Sequence, residues 1–233
     1  LSSNRERIVH HLESVKILPP KGENDPKLYG AITQRAVYLA EVSRPKSERT
    51  LCMAVTSEKY NTNDGSPTSW SGAIDSITSG VNDEEKRLFF VSAGNVYPYE
   101  LLDSEYPNAN IIHSVESPGQ AWNAITVGAY SQDIRIEEEL LNSYRAVANC
   151  GELSPYSSTS VMWDKKWPIK PEILCDGGNI ATNGNDYTEC SDLSLLTTHF
   201  KPMSRLFSTI CGTSSATAQA AWMAAQIIAE YPG

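Results

Sequence analysis

A serine stands at the start of a predicted helix near the end of the chain. Residues 212–216 read Gly-Thr-Ser-Ser-Ala, and an alanine-rich helical pattern covers 214–228. The free N–H groups and the positive end of a helix dipole favour a developing oxyanion beside Ser214. Gly212 would let another backbone come close to that hydroxyl. The same pentapeptide is also typical of a Ser/Thr helix cap, and by itself it favours the cap.

An asparagine follows a predicted buried strand. Residues 88–91 read Leu-Phe-Phe-Val and are followed by Ser92, Ala93, Gly94 and Asn95. Ligands of parallel α/β sheets bind at the carboxyl ends of strands, where the Asn95 amide could donate to a substrate carbonyl. A polar turn residue is the other interpretation, and the motif taken alone favours it.

Strands and helices alternate between these two motifs and upstream of them. Short β-rich runs cover 15–18, 51–55, 88–91 and 124–129, and helical patterns cover 29–42, 67–80 and 214–228. This alternation predicts an α/β protein with a mostly parallel sheet and helices on its faces. Two segments do not fit: 131–151 is acidic with a helical pattern, and 181–206 is polar and rich in turns. We interpret both as surface insertions in one domain covering 1–233.

The order of several short blocks is more specific than any one of them. Between Ala-Gly-Asn at 93–95 and the serine block lie Ser-Pro-Gly at 117–119, Ala-Ile-Thr-Val-Gly-Ala at 124–129, Tyr-Ser-Ser at 156–158 and Lys-Pro-Glu-Ile at 170–173, and Val-Lys-Ile-Leu precedes them at 15–18. In sequence and order these blocks resemble the subtilisin-like serine proteases, or subtilases. The resemblance covers nearly the whole chain and implies a three-layer subtilisin-like α/β fold that lacks the N-terminal strands.

The resemblance also implies roles for individual residues. Ser214 corresponds to the catalytic nucleophile, and Asn95 to the oxyanion donor that acts with the backbone N–H of Ser214. Thr56 stands where the family has Gly, which predicts a narrower pocket entrance, and Ala218 stands where the family usually has Pro. No cofactor and no metal site are implied. The residues placed along the substrate are Ala54, Val55, Thr56, Ser92, Ala93 and Gly94.

Two blocks of the family pattern are missing. Subtilases place their catalytic Asp and His before the serine, and both blocks would fall upstream of residue 15. Neither occurs among the first fourteen residues, where His10 and His11 are not followed by Gly-Thr. The chain therefore resembles the C-terminal two-thirds of a catalytic domain, and its start without Met indicates excision from a longer parent.

These observations predict a fragment of a serine endopeptidase that acts through an acyl-enzyme at Ser214 and is inactive by itself. The alternative is a catalytically inactive, subtilase-like peptide-binding module. An α/β-hydrolase esterase is disfavoured because the chain has no Gly-x-Ser-x-Gly motif.

Composition limits the partners of the chain. Its 233 residues include 28 acidic and 19 basic side chains, a net charge of −9. That balance argues against nucleic acid and against an anionic membrane. The peptide or protein substrate is what the resemblance to subtilases implies. The five cysteines are odd in number and form no C-x-x-C pair, which indicates reduced thiols and a cytoplasmic location.

The resemblance also predicts an incomplete sheet. The strand that would carry the missing Asp lies in the family between the runs at 15–18 and 51–55. Without it both runs would expose unpaired backbone groups. We therefore expect self-association through the exposed sheet edges, with residues 1–12 as the segment able to relocate.

Overall fold

The computed structural model describes residues 10–231. Within them the helices are α1 (Tyr29–Ser43), α2 (Ser69–Ser79), α3 (Asn108–Ile112) and α4 (Thr213–Glu230). The strands are β1 (Thr50–Met53), β2 (Leu88–Ser92), β3 (Ile125–Tyr130), β4 (Arg145–Ala146), β5 (Ile173–Asp176), β6 (Ala181–Thr182), β7 (Tyr187–Thr188), β8 (Leu195–Thr198) and β9 (Phe207–Ile210). Short 3-10 helices cover Pro26–Leu28, Pro98–Leu102, Glu139–Leu141 and Ser191–Leu193.

A four-stranded parallel sheet forms the centre, in the order β1-β2-β3-β5. Side chains alternate across it, as the two-residue period of a strand requires. Phe89 and Val91 face the core that contains Trp70 and Ile74 of α2, whereas Phe90 faces α4 on the opposite side. The result is the α/β arrangement that the sequence predicted, with helices on both faces of a mostly parallel sheet.

Local signals explain where the helices around the sheet begin and end. Thr68 caps α2 by accepting from the backbone N–H of Ser71, and Gly80 ends the helix in the left-handed region at φ 70°. Helix α4 buries Ala216, Ala220 and Ala224 at a four-residue spacing against the sheet. Small alanine side chains allow this helix to lie close to the strands, so its first turn is held firmly at their ends.

The predicted strand at 15–18 is wrong. This run joins no sheet within residues 10–231, and Val15 and Leu18 are 41% and 53% exposed. A strand needs a neighbour for its N–H and C=O groups, and the described part of the chain offers none here. Instead, the Asn24 side-chain amide donates to the Ile17 carbonyl at 2.8 Å, and Ile17 packs against the core beneath α1 and α2.

Strand β1 is one of the two edge strands of the sheet, and β5 is the other. In the described part of the chain, β1 pairs with β2 on one side only. The run at 15–18 was expected to form a second exposed edge. It does not, because it is not a strand. The relocating segment 1–12 lies largely outside the described residues, and self-association through β1 stays a prediction.

The helical pattern of 131–151 is a second wrong prediction. The segment contains the short 3-10 helix Glu139–Leu141 and strand β4, which joins β6 and β7 in a small antiparallel sheet. The carboxylate of Asp192 accepts from the backbone N–H groups of Glu137 and Glu138 at 2.7 and 2.8 Å. Those amides are therefore tied to the region 181–206, which also carries the β8–β9 hairpin. In the part of the chain described, no helix is long and apolar enough to span a membrane.

Candidate active site

Two of the sequence motifs lie side by side at the carboxyl edge of the sheet. Strands β1 and β2 are parallel neighbours with Met53 opposite Val91, so residues 54–56 and 93–95 leave the sheet at the same edge. Strand β1 ends earlier than predicted, at Met53. Beyond it, the Ser57 N–H bonds to the Ser117 carbonyl instead of continuing the ladder with β2.

Residues 54–56 keep backbone groups available. In the described part of the chain, neither Val55 nor Thr56 makes a backbone–backbone hydrogen bond. A cavity of about 310 Å³ opens beside them, and Ile17, Ile32 and Trp70 contribute to its apolar lining. An extended chain could therefore bond to this edge and place a side chain in the cavity.

The first turn of α4 is fastened to the end of β2. The Asn95 carboxamide oxygen accepts from the backbone N–H of Thr213 at 2.8 Å, and the Gly94 N–H donates to the Thr213 hydroxyl at 3.2 Å. Gly212 precedes the helix at φ 100°, and a Cβ there would lie 2.7 Å from Asn95 Oδ1. Glycine is thus required both by the left-handed backbone and by the close approach of Asn95.

These contacts bring Ser214 to both strand ends. Its half-buried hydroxyl donates to the Ala54 carbonyl at 3.3 Å. Within residues 10–231, neither the Ser214 backbone N–H nor the Asn95 Nδ2 has a hydrogen-bond acceptor. The structure therefore brings Ser214, Asn95 and the edge 54–56 to the same end of the sheet, and leaves these two donors unused.

The other residues that were predicted to contact the substrate, at 92–94, are buried. Ser92 and Ala93 are buried, and the Ala93 N–H and C=O bond to the Val127 carbonyl and the Glu116 N–H. Gly94 is buried as well, at φ 104°. These residues form the floor below Asn95 and do not present side chains to the surface.

The histidines bond elsewhere. Among the described residues, no imidazole is hydrogen-bonded to Ser214. His113 Nδ1 lies 3.6 Å from the Glu100 carboxylate, and the backbone N–H of Lys201 donates to His199 Nδ1 at 3.2 Å beside the β8–β9 turn.

Sequence reasoning missed Glu116. Its Oε1 accepts from the Asn95 backbone N–H at 3.2 Å, and its Oε2 accepts from the Thr56 hydroxyl. Burial raises the pKa of this carboxyl above the usual value, although both hydrogen bonds oppose the rise. The available signal was a single acidic residue before Ser-Pro-Gly at 117–119, and it has no periodicity to mark it.

One group of side chains has the donor types for a metal ion. Glu138, Cys190 and Asp192 approach one another where the regions 131–151 and 181–206 meet. Asp192 already accepts two backbone N–H groups, and the Cys190 thiol lies 3.7 Å from a Glu138 oxygen. These hydrogen bonds account for the cluster as a link between the two regions.

Comparison with known proteins agrees with this arrangement. The family model of the subtilases (peptidase S8) matches residues 1–233, so the chain belongs to the subtilase family. That membership confirms the resemblance and supports a serine protease at the level of the family. The uncharacterized protein y4bN of Sinorhizobium fredii (strain NBRC 101917 / NGR234) is 26% identical over 183 residues. The match covers 70% of this chain and 40% of that protein, less than half of its length.

Proposed function

We propose that this chain supplies the nucleophile and the oxyanion-binding donors of a serine endopeptidase. The observation that carries the proposal is the hydrogen bond from the Thr213 N–H to Asn95 Oδ1. Because the carboxamide oxygen is occupied, its Nδ2 donor is left for a ligand beside the Ser214 hydroxyl and N–H. Two fixed donors next to a hydroxyl are what a tetrahedral acyl intermediate requires.

In this reaction the Ser214 oxygen attacks the carbonyl carbon of a peptide bond while a base takes the hydroxyl proton. The carbonyl oxygen becomes an oxyanion between Asn95 Nδ2 and the Ser214 N–H. The intermediate then expels the amine, which receives the proton, and leaves an ester on Ser214. Water hydrolyses that ester and restores the hydroxyl.

The substrate is proposed to bind as an extended chain along residues 54–56. The free backbone groups of Val55 and Thr56 support this orientation, since an unpaired edge can add one more strand. The hydrogen bond from the Ser214 hydroxyl to the Ala54 carbonyl supports the same orientation, because it holds Ser214 next to that edge. A bound peptide would therefore present its backbone, and not a side chain, to the serine.

The 233-residue chain alone is proposed to hydrolyse peptides too slowly to be useful. Its Ser214 hydroxyl donates to a backbone carbonyl, which orients the hydroxyl but does not serve as a general base. No residue of this sequence is assigned the role of the base or of its orienting acid. Oxyanion stabilisation alone can still leave residual catalysis.

The test uses the 233-residue chain and the full-length product of the gene. We expect the full-length product to cleave internally quenched peptides and to be labelled at Ser214 by a fluorophosphonate probe. The Ser214→Ala variant should lose both, whereas Ser204→Ala, at an exposed serine, should retain both. Rapid acylation of the isolated chain would contradict its proposed inactivity.

The alternative outcome has its own signature. If the full-length product binds peptides but shows no hydrolysis that depends on Ser214, the peptidase proposal is wrong. The peptide-binding module then becomes the better description of this chain.

A further inference from the structure

The Glu116 carboxyl group lies between the two segments that are proposed to hold the substrate. One oxygen is bonded to Thr56, beyond the end of β1, and the other to the Asn95 backbone, beyond the end of β2. A Cβ on Gly94 would lie 2.5 Å from the carboxyl carbon of Glu116. Glycine at 94 therefore makes room for this carboxyl group. The group is bonded to the backbone of Asn95, the proposed oxyanion donor.

In the part of the chain that the structure describes, no cationic side chain balances the charge of Glu116. Within residues 10–231, no Lys, Arg or His forms an ion pair with Glu116. The other charged groups that act on it are Glu58, from the loop after β1, and Glu100, from the 3-10 helix after β2. Both are acidic, and His113 is next to Glu100. A half-buried carboxylate in such surroundings gains most from a cation supplied by a ligand.

The surroundings also suit the alkyl part of a long basic side chain. Tyr97 and Tyr99 stack with ring centroids 5.8 Å apart on the exposed side of this region. Glu116, Glu100 and Glu58 all help to raise the pKa of Tyr97, after the larger effect of burial. The tyrosine pair therefore lies within the same negative field and offers aromatic surface to a cationic side chain.

We infer that Glu116 makes the proposed peptidase selective for substrates with Lys or Arg at the residue whose carbonyl is attacked. The inference rests on the proposed function. With Asn95 holding the oxyanion, the substrate residue whose carbonyl is attacked directs its side chain between segments 54–56 and 93–95. The carboxyl group of Glu116 lies between these segments. A carboxylate has about four acceptor positions, and two are used by Thr56 and Asn95. The remainder can accept N–H groups of an ammonium or guanidinium ion.

Thr56 has a positioning role in this arrangement. Its hydroxyl holds one carboxylate oxygen on the β1 side, while the Asn95 N–H holds the other on the β2 side. The carboxyl group is thereby oriented from both strand ends before a substrate arrives. The predicted narrowing by Thr56 then favours a slender, unbranched side chain such as that of lysine.

The first experiment needs no variant. Two internally quenched peptides are compared, with lysine or norleucine at the residue whose carbonyl is attacked. These two side chains are similar in length and differ in charge. We expect the full-length gene product to cleave the lysine peptide with a kcat/KM at least about tenfold higher. The ratio should grow as pH rises through the titration of Glu116, because only the ionised form attracts the cation. Equal rates for the two peptides would overturn the inference.

The second experiment removes the charge. In Glu116→Gln the lysine preference should fall to less than about threefold, while the norleucine peptide is still cleaved, which reports a folded site. The matched control is Glu105→Gln, which removes one exposed negative charge and should keep the preference. A full lysine preference in Glu116→Gln would overturn the inference.

A binding measurement separates this inference from the peptidase proposal. In the Ser214→Ala variant of the full-length product, fluorescence anisotropy should show tighter binding of the lysine peptide than of the norleucine peptide. Adding Glu116→Gln should abolish that difference. If no peptide is hydrolysed but this difference is seen, the peptidase proposal fails and cation recognition by Glu116 stands. If hydrolysis depends on Ser214 but neither assay shows a lysine preference, only the inference fails.

Discussion

At the carboxyl edge of the parallel sheet, the β5 end and the β1–β2 end each contain a half-buried carboxyl group. The two carboxyl groups have different hydrogen-bond partners. Asp176 at the end of β5 and Glu116 beside β1 and β2 are both half-buried carboxyls whose pKa is raised by burial. Asp176 accepts from the N–H of Gly178 in its own turn, and its carbonyl accepts from Gln219 of α4 at 2.6 Å. Glu116 joins two separate strand ends.

The difference lies in which polar groups are already satisfied. At the β5 end, the Gly177 N–H bonds to the Tyr130 carbonyl of β3, and the Gly177 carbonyl accepts from the Gly212 N–H before α4, so both backbone groups of Gly177 are satisfied within the protein. At the β1–β2 end, the described contacts leave Val55, Thr56 and the Asn95 Nδ2 with unused hydrogen-bonding capacity. Topology makes the whole edge a candidate site, and the unsatisfied donors and acceptors indicate which part of it binds a ligand.

The largest expected effect comes from substituting two amide side chains, one at each end of the sheet's carboxyl edge. Asn95 holds the start of α4 at the β2 end, and Gln219 holds the same helix at the β5 end. In the full-length product, Asn95→Ala should lower kcat about 10²- to 10³-fold with little change in KM, because the lost donor is proposed to act on the oxyanion. Steady-state kinetics with one peptide measure this effect.

Gln219→Ala is the matched variant for the other end. It should cost about 1 kcal/mol in the free energy of unfolding and leave kcat within a few-fold. A change confined to KM in Asn95→Ala would remove Asn95 from its assigned role. A similar fall in kcat for both variants would mean that the two ends do not differ in function.

Two glycines give the next test. Gly212 and Gly178 both have positive φ, and a Cβ would lie 2.7 Å from Asn95 Oδ1 in one case and 2.8 Å from the Leu193 carbonyl in the other. Each Gly→Ala change should destabilise the protein by about 1–3 kcal/mol, measured by urea unfolding. Only Gly212→Ala should also lower kcat in the folded protein, because it displaces Asn95.

Gly72→Ala provides the control for these variants. Gly72 lies in α2 with open space at its Cβ position, so the change should be neutral or slightly stabilising. Normal turnover in Gly212→Ala would show that the close approach to Asn95 has no catalytic importance.

The smallest expected effect is on the pH dependence of stability. Burial disfavours the ionised forms of Glu116 and Asp176 and raises the pKa of both. Negative charges add to the rise: Glu58 and Glu100 act on Glu116, and Asp133 acts on Asp176. The folded state therefore binds more protons than the unfolded state between the ordinary and the raised pKa. Stability contributed by these groups is highest at low pH and falls as pH rises through that window. Glu116→Gln and Asp176→Asn should each flatten this fall in urea titrations.

A lysine-containing peptide sharpens the distinction between the two carboxyls. Its stabilising effect on the Ser214→Ala variant should grow with pH, and it should still do so when Asp176→Asn is added. Adding Glu116→Gln instead should remove the growth. Equal behaviour of the two carboxyl variants would place the cation elsewhere.

The sequence by itself determined the family, the alternation of strands and helices, and the position of Ser214 at a helix start. Those properties depend on local signals such as the Thr68 cap, the buried run at 88–91 and the glycine at 212. It misplaced the run at 15–18, because a strand depends on a partner that local pattern does not reveal. Only the tertiary structure decided that Glu116 lies between Thr56 and Asn95, 60 and 21 residues away in sequence. Burial and long-range hydrogen bonds set the chemistry of a carboxyl group, and neither is encoded in the residues beside it.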